Sequence, residues 1–179
     1  VYVADWMTFR VQKFDSNGRF LTKWGNLGET GAFLDRPRSI DFDKAGNVYV
    51  LDGYSVHKFT PNGGFLARWD IKREGPEGYR APRGLAVHAS GSGYVTDLSG
   101  KILKFDPEGN LVSKWGSAGT GDGQFLEPGS IALDAKGRLF VADFRNSRIQ
   151  KFDSEGKFLL KWGSGYWFGI HDVAADASG

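Results

Sequence analysis

The chain contains no cysteine, which excludes disulfides and thiolate metal sites and leaves the compartment open. It has no apolar stretch near membrane-spanning length, and no helical periodicity is sustained beyond a turn or two. Charge of either sign is not in excess. The 23 Lys and Arg against 21 Asp and Glu leave a formal net charge of +2, too small by itself to imply a nucleic-acid or membrane partner. There is no signal peptide and no initiator methionine, and the first residue, Val1, opens in mid-strand, as expected of a mature or excised piece. What the chain does have is glycine, 26 residues, and aromatics at 15%, the composition of tight turns and packed β-surfaces. At 179 residues it is long enough for one domain with a substantial core.

The N-terminal phrase V-Y-V-A-D…V-Q-K-F-D-S-N-G-R-F-L-T-K-W-G recurs three more times. Its tryptophan falls at positions 24, 69, 115 and 162, steps of 45, 46 and 47 residues. A period in the forties built of short strands and glycine turns predicts a β-propeller, one four-stranded sheet per repeat. In the fourth copy strand A is read over Ser130–Asp134, B over Leu139–Ala142, C over Ile149–Phe152 and D over Phe158–Trp162. The C–D turns begin at Asp15, Thr60, Asp106 and Asp153 and place Gly18, Gly63, Gly109 and Gly156 fourth, a type I turn signature. Strand B is apolar at consecutive positions, which suits a sheet covered on both faces. The repeats run approximately over 1–37, 38–82, 83–128 and 129–168, with a partial copy at 169–179. The first blade is therefore expected to be split between the termini. Either the last strand A closes onto the first strand B, or the chain is an excerpt of a larger ring; an open arc would expose edges and faces that need cover.

The stretch Gly123-Gln124-Phe125-Leu126-Glu127-Pro128-Gly129-Ser130-Ile131-Ala132-Leu133-Asp134, continued by Asn146-Ser147-Arg148-Ile149-Gln150-Lys151-Phe152, resembles the NHL repeat family. The resemblance covers the whole chain. It implies an all-β propeller of NHL-type blades, six in the usual member, and it implies no single activity, because propellers carry many.

Candidate site residues follow from the repeat. The connections from strand D to the next strand A (Asn26–Pro37, Ile71–Pro82, Ser117–Pro128 and Ser164–Ile170) gather with the B–C turns on one face around the axis and are the irregular parts of the chain. The position after the proline, at the channel mouth, holds Arg38, Arg83, Gly129 and His171. Two guanidinium forks and an imidazole there could grip a carboxylate or phosphate. Trp6, Phe9, Tyr54, Tyr79, Phe144, Tyr166, Trp167 and Phe168 share that face, interleaved with Arg36, Lys72, Arg73, Arg80 and Arg145. The expected ligand-binding set is Arg38, Arg83, His171, Tyr54, Trp6 and Phe144, taking a protein, a peptide or a small anion.

Two further functions are implied by the resemblance. Some eukaryotic NHL propellers bind single-stranded RNA on this face, but Glu29, Asp35, Glu74, Glu77, Asp122 and Glu127 dilute the positive charge, so nucleic acid is not the expected partner. The family also includes a peptide α-amidating lyase domain with a histidine-held metal. His171, Arg38, Arg83 and Tyr54 invite the comparison. His57, however, falls in strand C and His88 at an A–B turn, so three imidazoles do not converge within this chain. Neither metal nor cofactor is expected unless further blades complete the site. Asp5, Asp52, Asp97 and Asp143 end strand B, and Arg10 and Arg148 begin strand C; an Asp–Arg tie across the turn explains them structurally. Gly116–Gly121 mimics a phosphate loop, but no helix follows it. With no Ser-His-Asp arrangement and no cysteine nucleophile, the expectation is a non-enzymatic binding or scaffold propeller, with self-association or added blades closing the ring.

Overall fold

The computed structural model describes residues 1–25, 33–71, 81–163 and 169–176. Four antiparallel sheets follow one another along the chain. The first has β1 (Tyr2–Asp5), β2 (Arg10–Phe14) and β3 (Phe20–Trp24); the second has β4 (Ser39–Phe42), β5 (Val48–Leu51), β6 (Ser55–Phe59) and β7 (Phe65–Asp70). The third has β8 (Pro82–Val87), β9 (Gly93–Asp97), β10 (Ile102–Phe105) and β11 (Leu111–Trp115). After it, β12 (Ser117–Ala118) and β13 (Gln124–Phe125) form a small parallel pair inside the connection to the fourth sheet. The fourth holds β14 (Pro128–Leu133), β15 (Leu139–Asp143), β16 (Arg148–Phe152) and β17 (Phe158–Trp162).

Each sheet is a meander whose last turn is set by its own chemistry. The glycine amide bonds back to the carbonyl three residues earlier at Gly18, Gly63, Gly109 and Gly156, and each of these glycines has a φ between 79° and 90°. The register then slips at one equivalent place per sheet, between Lys13/Phe14, Lys58/Phe59, Lys104/Phe105 and Lys151/Phe152. Such a bulge adds local twist and swings the outer strand away.

The core lies between sheets. One cluster, with Val11, Trp24, Leu34, Val48 and Phe59, joins the first to the second; another, with Tyr49, Leu51, Trp69, Leu85 and Phe105, joins the second to the third. A third, with Tyr94, Ile102, Ile131, Leu139 and Phe152, joins the third to the fourth. The second strands of these sheets are sandwiched on both faces, and β5, β9 and β15 are buried along their whole length. That accounts for their unbroken apolar runs.

Trp24, Trp69 and Trp115 on the outer strands each interlock with the next sheet. A Cβ on Gly63 would stand 2.7 Å from the Trp24 ring and one on Gly156 2.6 Å from the Trp115 ring, while one on Gly109 would run into Trp69. Glycine therefore serves twice, for its backbone angle and for room.

Among the described residues the first sheet has no inner strand. Gly169–Asp176, the segment expected to supply it, joins no sheet and instead lies along β14, where Ser130 N donates to His171 O at 3.3 Å.

Candidate functional site

The inner strands β4, β8 and β14, with Asp172–Ala175, surround an axial cleft of about 950 Å³. Arg38, Arg83, His171, Trp6 and Phe144 line it, as do Glu127 and Asp172. Tyr54, the remaining expected site residue, is exposed beside Arg38 but outside the cleft wall. Tyr79, Tyr166, Trp167, Phe168, Lys72, Arg73, Arg80, Glu29, Glu74 and Glu77 lie outside the described residues.

The two arginines are positioned by inner strands, Arg83 within β8 and Arg38 immediately before β4. Arg38 enters β4 through its amide, which donates to Leu51 O at 2.8 Å. Its guanidinium is half-buried, and Nε makes no hydrogen bond among the described residues. Burial, then the positive charges of Arg83 and Arg36, hold it below the usual guanidinium range, with Tyr54 and Asp35 acting the other way. Two arginines close enough to repel one another, with no ion-pair partner among the described residues, form a site that favours a negative group.

On the opposite wall the His171 ring packs on Phe144, centroids 4.3 Å apart. The His171 carbonyl also passes so near Gly129 that a Cβ there would stand 2.9 Å from it, which is why the third channel-mouth position holds glycine. Gly129 O in turn accepts from Thr96 Oγ1 at 2.6 Å, and Thr96 Oγ1 accepts from Gly84 N at 3.0 Å. Trp6 carries Arg36 over its ring at 5.8 Å, and Arg145 is neutralised by Glu127 at 2.7 Å.

Sequence reasoning missed Asp41. It lines the cleft at the β4 position where the other repeats have Ala86, Ala132 and Ala174. That exception to the repeat was the available signal. Its Oδ2 accepts from Val87 N at 2.6 Å and Oδ1 from Phe42 N at 2.9 Å. Burial nevertheless pushes the carboxyl above the usual carboxylate range, against the pull of those two amides. A carboxyl so perturbed in a cleft is a candidate proton donor or acceptor.

The repeated acids are structural. Asp143 Oδ2 takes Arg148 Nε at 2.7 Å, and Asp5 takes Arg10 at 3.2 Å. Asp97 Oδ1 takes the amides of Ser99 and Lys101. Asp52 lies 2.9 Å from His57 Nε2, off the direction of a hydrogen bond, and accepts from the amides of Asp35 and Ser55. His57 is buried in β6, and His88 bonds Ser90 at an A–B turn. Among the described residues no group of three or more His, Asp or Glu is placed to hold a metal. Among the described residues no helix is long and apolar enough to cross a membrane.

Residues 125–152 match the NHL repeat model. None of the curated proteins compared matches the chain. In three dimensions the chain resembles a catalytically inactive virginiamycin B lyase from Staphylococcus aureus in complex with quinupristin, with 15% identity over 93% of this chain and 53% of that one, TM-score 0.69. It also resembles the selenomethionine form of that lyase, with 14% identity over 97% and 55%, TM-score 0.72. A third relative in shape is a gluconolactonase from Xanthomonas campestris, with 19% identity over 94% and 59%, TM-score 0.67. The chain spans about half the length of these structures. At such identities the likeness speaks for the fold. It also corrects the expectation of a non-enzymatic scaffold, because these neighbours are enzymes. The physical reason lies in the cleft, where arginine, histidine and a perturbed carboxyl face one volume, a set as suited to proton transfer as to binding. Residues 125–152 are thus matched as an NHL repeat, and the fold of the chain is that of β-propellers.

Proposed function

We propose that this chain is part of a propeller enzyme that converts a small substrate in the axial cleft, by a lyase or lactone-opening reaction. The observation that carries the reading is the convergence of Arg38, Arg83, His171 and Asp41 on one cleft. Arg38 and Arg83 hold negative charge that the substrate bears or develops at a carbonyl oxygen, the electrostatic role that lowers barriers most. His171 and Asp41 are the groups able to move a proton. In the virginiamycin B lyase, replacing one histidine by alanine leaves a catalytically inactive protein, which supports giving His171 such a role here. Phe144 positions the His171 ring by packing on it, and Trp6 supplies an apolar wall. Tyr54, beside Arg38 but outside the cleft, borders the entrance.

The test is turnover of gluconolactone and of quinupristin, with and without divalent cations, by the wild-type chain and by Arg38→Ala, Arg83→Ala, Asp41→Asn and His171→Ala. Loss of one arginine is expected to lower kcat about 10²–10³-fold. Turnover of either probe that survives all four replacements unchanged sinks the assignment, as does a wild-type chain that converts neither.

A further inference from the structure

The cleft has two walls that meet through one hydroxyl. Strand β8 bulges where it enters the channel. Arg83 and Gly84 together stand opposite the single residue Thr96 of β9, between the pairs Pro82–Asp97 and Leu85–Val95. A bulge re-aims the side chain beside it, and here that side chain is Arg83, exposed where it lines the cleft. The bulge also takes the buried Gly84 amide off the strand ladder, and a buried amide needs an acceptor. Thr96 Oγ1 supplies it at 3.0 Å.

The same hydroxyl donates to Gly129 O of β14 at 2.6 Å. That carbonyl shares its peptide group with Ser130 N, which donates to His171 O at 3.3 Å. A continuous line therefore runs from Gly84 N–H through the Thr96 hydroxyl and the Gly129–Ser130 peptide to the His171 carbonyl. Each group in such a line polarises the next, so the bonds reinforce one another. The backbones it crosses leave no room for a side chain: a Cβ on Gly84 would stand 2.6 Å from Gly129 O, and one on Gly129 2.9 Å from His171 O.

Thr96 departs from the repeat. Ala4, Leu51 and Ala142 hold its place in the other copies, and none offers a hydroxyl. Strand β14 bulges in the same way, with Gly129 and Ser130 opposite Ala142, and there the Ser130 amide turns to His171 O instead. Strand β4 has no bulge at this level, Ser39 pairing with Leu51. Thr96 is fully buried, so its hydroxyl touches no substrate, and packing alone is met by an apolar residue in the other copies.

We infer that Thr96 is a positioning residue for the cleft, its hydroxyl clipping the arginine wall at Arg83 to the histidine wall at His171. The inference rests on the reading of that cleft as the place of substrate conversion. A substrate held between two walls is sensitive to their separation, because reactive geometry tolerates little displacement.

The test compares Thr96→Val, which keeps the shape and removes the hydroxyl, with Thr96→Ser, which keeps the hydroxyl and removes a methyl. The NMR signals of the His171 imidazole and the Arg83 guanidinium, identified by their loss in His171→Ala and Arg83→Ala, are read in both, with circular dichroism as the folding control. Thr96→Val is expected to move both sets of signals while those of His88, at a distant A–B turn, stay in place; Thr96→Ser is expected to leave all three. With a probe that the wild type converts, kcat should fall about tenfold or more in Thr96→Val and recover in Thr96→Ser. A wild type that converts neither gluconolactone nor quinupristin strikes the enzymatic reading, and the clip is then judged on the signals, which need no turnover. Should Thr96→Val not fold, exchange of the Gly84 amide in the wild type decides: slow exchange supports the clip, and exchange at the rate of a solvated amide overturns it. Unmoved His171 and Arg83 signals in a folded Thr96→Val, undiminished turnover by it, or a serine variant that behaves like the valine one overturns it as well.

Discussion

Asp41 Oδ2 accepts a hydrogen bond from Val87 N at 2.6 Å, joining the inner strand of the second sheet to that of the third beside the axial cleft. The bond is charge-assisted, yet burial outweighs it and raises the carboxyl pKa. A carboxyl whose folded pKa is raised contributes stability that is present below the unfolded value and lost as pH rises through the folded one. Asp41→Asn keeps an acceptor for Val87 and removes the buried charge. The variant is expected to match the wild type in acid and to gain on it progressively from about pH 4 upward, measured as unfolding free energy in denaturant titrations across pH.

Arg148 and Arg10 occupy the same place in their repeats, and their replacements should differ. Arg148 bonds buried Asp143 and the carbonyls of Thr120, Gly121 and Gln124, all at 2.7 or 2.8 Å. Its alanine variant strands a carboxylate with 0% side-chain exposure and should cost about 3–5 kcal/mol. The Arg10–Asp5 pair is 26% and 22% exposed, and Arg10→Ala should cost about 1 kcal/mol or less. Urea denaturation of the two variants checks the contrast.

Gly109 and Gly123 share a positive φ, +90° and +73°, but only Gly109 faces an indole. Gly123→Ala should cost about 1–2 kcal/mol for the left-handed backbone alone. Gly109→Ala adds overpacking against Trp69 and should cost about 3–5 kcal/mol, with a change in tryptophan fluorescence that the Gly123 variant lacks.

Arg38→Ala and Arg83→Ala should leave stability within about 1 kcal/mol, since neither guanidinium has an ion-pair partner among the described residues and the two repel. Sulfate or citrate should stabilise the wild type by mass action and the double variant much less, read as the shift in thermal midpoint with anion concentration. Equal shifts in both would place the anion elsewhere.

Much of this was legible in the chain. The strand D read from the fourth copy coincides with β17, and strands B and C with β15 and β16 to within one residue, because apolar runs, turn glycines and tryptophan recur together in every copy. Of the six residues expected to bind a ligand, five line the cleft: Arg38, Arg83 and His171 from the start of strand A, and Trp6 and Phe144 from the B–C turns. The β12–β13 pair was not legible. It is built of two residues from each side of a loop, held by Arg148 and Gln150 from a distant strand, and no local pattern announces it. Asp41 was hidden because a repeat directs attention to what recurs, and its importance lies in departing from the recurrence.

The sequence by itself determined the unit: its period, its four strands, the turns between them, and the tryptophan that must cover a glycine. Those are short-range consequences of backbone angle and side-chain shape, repeated until they are unmistakable. Only the tertiary structure decided which faces are covered and that burial pushes the Asp41 carboxyl upward. Burial and proximity are sums over residues far apart in the chain, and a repeat that specifies every unit alike carries no local mark of them.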